Sequence, residues 1–504
     1  MLRKTVRSTS QVRAGRLSLC VFVWLGAVAA GCSGDGEDDN ELPAPPTAAT
    51  DAGDSGVSTG DGGTGGPGSG GEAGAPPVSE AKCGASDTPE KGVQGDLNPG
   101  PVNCGLTLLS ELPVAGSAQG SGHCAYVRTG SVIKAFSLVD PLNPVQTDEV
   151  PGFGGSESMR AQTVEGRAIL VSGRGVYDIS NCEKMVKKGE IAWPSMNAQT
   201  GNLMRALSSH EIGISHDAKR VYSGLGFNIA YIDDLEKPET WTVKNWSCEM
   251  NKQSGFPTDV PNACEGPSHQ DVGRQYSHSS DDNLEGTVWY GANQEGSPTQ
   301  MERSTARMVD ITDRNSIKIL DTVASFPGHS MNWWRTPDRR DFIIGANETL
   351  GRGDSCVPYP RPVNLGNAFE AYVVEVTGNK FGKPSILTVD INRPENCQAA
   401  KTSGSNATIT EHSVYNKGGA AFVMLEYGTA GLRVFDLRNG DKPKEAAYYN
   451  DGKGHVHSGV FSYDETRGIM IASGRLAAHV LMLQPDTISA LGLPKPTDPK
   501  YPYK

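Results

Sequence analysis

Short apolar runs that end in an acidic residue and then one more apolar residue recur along the chain. They are Val176-Tyr177-Asp178-Ile179, Tyr231-Ile232-Asp233-Asp234-Leu235, Met308-Val309-Asp310-Ile311, Val373-Val374-Glu375-Val376 and Val434-Phe435-Asp436-Leu437. Two degenerate copies flank them, Ala135-Phe136-Ser137-Leu138 and Val480-Leu481-Met482-Leu483. The acidic position or its replacement therefore falls at 137, 178, 233, 310, 375, 436 and 482, at intervals of 41, 55, 77, 65, 61 and 46 residues. The shortest interval matches the roughly 40–50 residues of one four-stranded propeller blade. The longer ones carry insertions rich in Gly, Pro, Ser and Asn, notably 247–275 and 349–368. Several copies are followed by a proline-containing turn, as in Asp140-Pro141-Leu142-Asn143-Pro144, Glu236-Lys237-Pro238 and Asp441-Lys442-Pro443, and then by a short apolar stretch such as 145–150 or 444–449. Strand, turn and strand in that order is a hairpin signature.

The unit resembles the LVIVD repeat of bacterial surface and secreted β-propellers, most clearly over 125–150 and 419–449, and the resemblance covers about residues 105–485. It implies an all-β fold, a seven-bladed β-propeller, and implies little about activity. Closure follows from the ends of the repeat region. After Leu483 the chain reads Gln484-Pro485-Asp486 and offers no further strand, whereas residues 105–110 have strand character ahead of the first repeat. That early segment is expected to supply the missing outer strand of the last blade, because an unpaired outer edge invites aggregation.

Charge and composition are uneven, and this divides the chain further. Residues 1–31 carry five basic side chains and no acidic one, and an apolar run from Leu17 to Ala30 follows them. The run is shorter than the roughly 20 residues of a spanning helix and reads as a secretory signal. It ends in Val28-Ala29-Ala30-Gly31-Cys32, which resembles a bacterial lipobox. The resemblance implies cleavage before Cys32 and lipidation of that cysteine, and Ser33 in place of Asp then implies an outer-membrane or cell-surface lipoprotein. The other reading is plain signal-peptidase cleavage with Cys32 incidental.

Residues 33–80 hold 13 Gly and ten acidic residues with no basic one. Such a composition cannot bury enough surface to offset its ordering entropy, so 32–80 reads as a disordered tether. The expected division is thus a signal at 1–31, the tether at 32–80, a cysteine-containing lead-in at 81–104, the propeller at 105–485 and a tail at 486–504. The remaining chain is mildly acidic. Nucleic acid, which needs a concentrated basic surface, is not an expected partner.

Setting aside Cys20 and Cys32, eight cysteines remain, an even number that in an exported chain reads as disulfides. Cys248 with Cys264 and Cys356 with Cys397 each bracket an inserted stretch and are the preferred pairs. No C-x-x-C occurs, so neither a thioredoxin-type site nor a zinc ribbon is expected.

Five histidines open a strand-like run in successive repeats: His210, His278, His329, His412 and His457, which lie 23, 32, 46, 24 and 25 residues before the acidic position. Residues that open the innermost strand of each blade converge on the propeller axis. Blade two offers Arg160 or Gln162 there, and blade one has no clear counterpart. Two readings stand. Converging imidazoles with Glu211 and Glu411 nearby could hold copper, iron or zinc, or an anionic ligand beside Arg160. Equally, each imidazole could bond backbone within its own blade.

Other motifs lack the needed context. His210-Glu211 with His216 has the wrong spacing for a helical zinc site. Asp281-Asp282 is expected in a turn and lacks EF-hand spacing. Arg352-Gly353-Asp354 reads as chance, and at least one of Trp333 and Trp334 is expected in a blade core. Two function classes follow. The first is a non-catalytic platform, anchored to the membrane by lipid, that binds a protein, glycan or small ligand. The second, by analogy with histidine-lined propellers, is a metal-dependent enzyme at the channel mouth.

Overall fold

Each acidic motif occupies the third strand of a four-stranded antiparallel sheet. These third strands are Val132–Ser137, Gly175–Asp178, Asn228–Tyr231, Thr305–Asp310, Ala371–Thr377, Gly431–Asp436 and Ala478–Leu483, with Asp233 two residues beyond its strand. The computed structural model of the protein describes residues 80–95, 100–153, 159–193, 212–223, 227–246, 249–250, 253, 280–292, 305–324, 330–346, 371–387, 389–390, 412–427, 430–452, 462–474 and 476–504. Their strands form seven sheets, the blades of a seven-bladed β-propeller. The signal, Cys32 and nearly all of the tether lie outside the described residues, as do Cys248, Cys264, Cys356 and Cys397.

The motif has a local physical cause. In blades two, four and six the acid accepts the backbone N–H two residues on: Asp178 from Ser180, Asp310 from Thr312 and Asp436 from Arg438, each at 2.9 Å. This starts the turn that leads to the outer strand. The next residue, or in blade three Ile232 just before Asp233, is buried, and its N–H returns to a carbonyl at the start of the second strand: Leu138 to His123, Ile179 to Ala168, Ile232 to Lys219, Ile311 to Thr287 and Leu437 to Ala421. Acid and apolar residue together lock the exit from the third strand.

Seven apolar clusters fill the seven gaps between neighbouring blades. Third strands are buried on both faces for this reason, and outer strands such as Val145–Pro151 and Val186–Glu190 are largely exposed. The ring closes as expected. Leu106–Leu112 pairs antiparallel with Ala478–Leu483 and becomes the outer strand of blade seven. One strand earlier, Val102–Cys104 adds a fifth strand to blade six by pairing with Lys444–Asn450. The end of the lead-in and the strand after it thus stitch two blades, and the switch between them occurs at Gly105. Its φ of +70°, with Thr487 Oγ1 pressed against the place where a Cβ would stand, admits only glycine. Beyond the last strand, a short helix, Pro485–Ala490, buries Ile488, and Leu491, Leu493 and Tyr503 are buried after it.

Two disulfides are present among the described residues, Cys83–Cys104 within the lead-in and Cys124–Cys182 between blades one and two. Neither was singled out by its position beside an insertion.

The lead-in is also held by charge. Arg433 is fully buried and donates to the Glu90 carboxylate and to Glu445 Oε1 at 3.1 Å, with its guanidinium 4.7 Å from the Tyr448 ring centre. Gln94 bonds the remaining Glu445 oxygen at 2.8 Å. Removing one partner from a buried set strands the other charge. Glu90→Ala is therefore expected to lower the unfolding free energy by about 3–5 kcal/mol, with Arg433→Met, Glu90→Leu and Glu445→Leu together recovering most of the loss, both read from denaturant midpoints.

Candidate functional site

The inner strands of the blades begin at Ser117, Met159, Ile212, Ser280, Ser330, His412 and Ser462 and touch their neighbours all round the ring. In each blade, antiparallel order puts the start of the inner strand at the same end as the start of the third strand. This entry end is opposite the end that carries the acidic turns. His210, His278, His329 and His457 lie outside the described residues, as do Glu211 and Glu411. His412 is the first residue of the inner strand His412–Lys417.

Among the described residues a channel cavity of about 160 Å³ is lined by Gln119, Arg160, His216, Asp281, Asn332 and Ser413, one from each of blades one to six, with Gln162 beside Arg160. Arg160 sits on the inner strand Met159–Val164. Blade one, which offered no counterpart in the sequence, contributes Gln119, whose side-chain oxygen accepts the Ala161 N–H at 3.2 Å.

The titratable core of this cavity is His216 with Asp281 and Asp282. The expected turn at Asp281-Asp282 is corrected: both belong to the inner strand Ser280–Asp282 and the turn comes after it. Successive strand residues point to opposite faces, so the two carboxylates engage different neighbours. Asp281 turns to blade five and accepts from the Trp333 N–H at 3.0 Å and from Asn332 Nδ2 at 3.3 Å. Asp282 turns to blade three. It accepts from the His216 N–H at 3.1 Å, Tyr222 Oη at 3.0 Å and Arg220 Nη2 at 3.2 Å.

His216 follows the inner strand Ile212–Ile214, in a turn held by Ser215 and Asp217 and by Ala218 at φ +56°. Its ring meets Trp333 edge-on, with centroids 5.5 Å apart. His216 Nε2 is buried, has no hydrogen-bond partner among the described residues, and lies 3.6 Å from Asp281 Oδ1, beyond bonding distance. Nε2 and Oδ1, the latter already accepting the Asp282 N–H at 2.9 Å, are thus the groups among the described residues that a ligand can reach, because Asp282 is committed to Arg220 and Tyr222.

These residues were visible in the sequence but not their union. His216 comes after its inner strand, where the histidine row comes before, and the strand Ser280–Asp282 is three residues long with two acids. Trp333 and Trp334 are both core residues, on opposite faces of blade five. Among the described residues, the other clusters of metal-ligand type use Cys83 and Cys104 or Cys124 and Cys182, whose sulfurs are consumed in disulfides.

No family model matches the chain, and no curated protein does. Among solved structures, one of a functionally unknown protein from Desulfotomaculum acetoxidans DSM 771 is 12% identical, covers 70% of this chain and 89% of its own, and superposes with a TM-score of 0.42. A protein from Lactobacillus plantarum is 13% identical, with 54% and 69% covered and a TM-score of 0.32. No helix among the described residues is long and apolar enough to cross a membrane.

Burial raises the Asp282 carboxyl from 3.8 to about 6, the nearby Asp281 adding to this and His216 and Arg220 opposing it. The folded state then binds this proton more tightly than the unfolded chain. The stability it carries is complete below pH 3.8 and is lost as pH rises through about 6. Between pH 4 and pH 7, Asp282→Asn should therefore gain up to about 3 kcal/mol relative to the parent, since each tenfold difference in proton affinity is worth roughly 1.4 kcal/mol. Denaturant unfolding across that range reads the gain.

Proposed function

We propose that this protein is an exported, lipid-anchored β-propeller of the LVIVD-repeat kind that binds a small polar ligand at its axis. The observation that carries this reading is the cavity built from one side chain of each of six blades, where Arg160 and Asp281 bring opposite charges and His216 brings a nitrogen without a hydrogen-bond partner among the described residues. At about 160 Å³ it is smaller than the roughly 300–1,000 Å³ of a seat for a drug-sized molecule. It suits an ion or the polar end of a larger ligand. Anchoring rests on the basic and apolar run that ends at Cys32.

Metal-dependent chemistry is the second reading, favoured by His216 Nε2 and Asp281 Oδ1 at 3.6 Å beside Asp282. Imidazole and carboxylate together suit zinc, copper or iron.

Elemental analysis of the purified, tag-free chain after incubation with zinc, copper or iron salts separates the two readings. Less than one equivalent of metal is the result expected for the binding platform. One equivalent lost in His216→Ala plus Asp281→Asn would replace it with a channel metal centre. One equivalent lost in His329→Ala plus His412→Ala would place the metal at the histidine row. For the anchor, palmitate labelling of growing cells should mark the parent and not Cys32→Ala, which should also leave the membrane fraction. Equal labelling of both would overturn the lipid anchor.

A further inference from the structure

The third-strand residue three positions before the acidic position faces the preceding blade. Val309 and Phe435, one position before the acid, belong to the clusters shared with the preceding blades. A residue two positions away on a strand shares that face. In blades two, three and five the residue is Gly175, Ala230 or Tyr372. In the other four it is basic: Lys134, Arg307, Arg433 and His479.

Three of these meet a carboxylate. Lys134 lies 3.7 Å from Glu149, its partner on the outer strand. His479 lies 3.5 Å from Glu111, likewise its outer-strand partner. Arg433 is held by Glu90 and Glu445.

Arg307 differs. Its outer-strand partner is Thr322, so an uncharged residue stands where blades one and seven have Glu149 and Glu111. The Arg307 side chain is 6% exposed, makes no hydrogen bond or ion pair among the described residues, and has a buried Nε with no partner. Burial lowers its pKa to about 10, so it stays cationic at neutral pH. A buried charge without a counter-charge is strongly unfavourable.

Its surroundings are rich in donors. Ser280 Oγ, opposite Gly291, which in turn is opposite Arg307, is buried with no hydrogen-bond partner among the described residues. So are Trp289 Nε1 and Trp246 Nε1, whose rings belong to the cluster between blades three and four. The carboxylate of that seam, Asp282, is already taken by Arg220 and Tyr222. Arg307 is two residues from the entry end of its strand, roughly 7 Å at about 3.4 Å per residue.

We infer that the seam between the third and fourth blades is a binding site for a small oxyanion, a phosphate or a carboxylate, held on the Arg307 guanidinium. The anion takes the place that Glu149, Glu111 and the Glu90–Glu445 pair fill elsewhere in the ring. A planar guanidinium suits such a ligand because it can offer two parallel N–H donors, with the indole N–H groups and Ser280 Oγ as further donors. Ser280 also lines the axial cavity, but Arg307, Trp289 and Trp246 do not, and the fate of the site on Arg307 does not depend on the function proposed there.

Tryptophan fluorescence and melting temperature of the full chain provide the test, with phosphate or acetate titrated at constant ionic strength against chloride. The parent is expected to show a saturable fluorescence change and a rise in melting temperature with at least one of the two, and the effective anion identifies the group. Arg307→Met should lose both responses. Thr322→Glu, at an exposed position, supplies the missing carboxylate from within. It should raise the melting temperature in anion-free buffer and abolish the anion response, and it carries the test alone if Arg307→Met does not fold. No saturable response to either anion, an equal response to chloride, or a response that persists in Thr322→Glu would overturn the inference.

Discussion

The fold depends on one constraint: a strand that is apolar on both faces has to be covered on both. Each third strand here carries buried residues toward the preceding and the following blade, as Val373 and Val374 do on adjacent positions of blade five. A single sheet cannot meet this demand, and a stack of sheets leaves its two end faces bare. A ring leaves none. Seven shared clusters for seven blades is the arithmetic of that closure, and hydrophobic burial proportional to covered area is its driving force.

Closure transfers the burden to the junction where the chain begins and ends. Residues 102–112 answer it twice, by pairing Leu106–Leu112 with the last third strand and by pairing Val102–Cys104 with blade six. Glu90 then enters a fully buried ion set with Arg433. An apolar filling could match that set in stability, but an arginine that must find two carboxylates fixes the register of the lead-in. The disulfide Cys83–Cys104 ties the same segment to itself.

Much of this was legible in the sequence because its causes are local. An apolar run, an acid and an apolar residue mark the exit of five of the seven third strands, so the pattern repeats with the blade. The closing strand was legible because a missing strand and a spare one can be matched by count. The site was not, for a related reason. Asp281 and Asp282 read as a turn because acids are rare in buried strands. They form a strand because each finds its partners on a different neighbouring blade, information that no local window holds. The same holds for Cys124 and Cys182, brought together across two blades, and for Gln119, whose role depends on Ala161 in the next blade.

The acids of the repeat and the acids of the channel perform opposite tasks, and this bears on where chemistry can reside. Asp178, Asp310 and Asp436 accept backbone N–H groups in turns, bonds that lead their third strands into the outer strands. Asp281 satisfies structure with one oxygen, Oδ2, on which Trp333 and Asn332 converge. Among the described residues its other oxygen accepts only the neighbouring Asp282 N–H at 2.9 Å and otherwise faces His216. A ligand bound at Oδ1 would leave the clamp on blade five intact, whereas one bound at Asp282 would break the Arg220 pair that holds blade three. The ring can therefore take a ligand on its axis through Asp281 without loosening, and Asp282 is the carboxylate that such binding must leave alone.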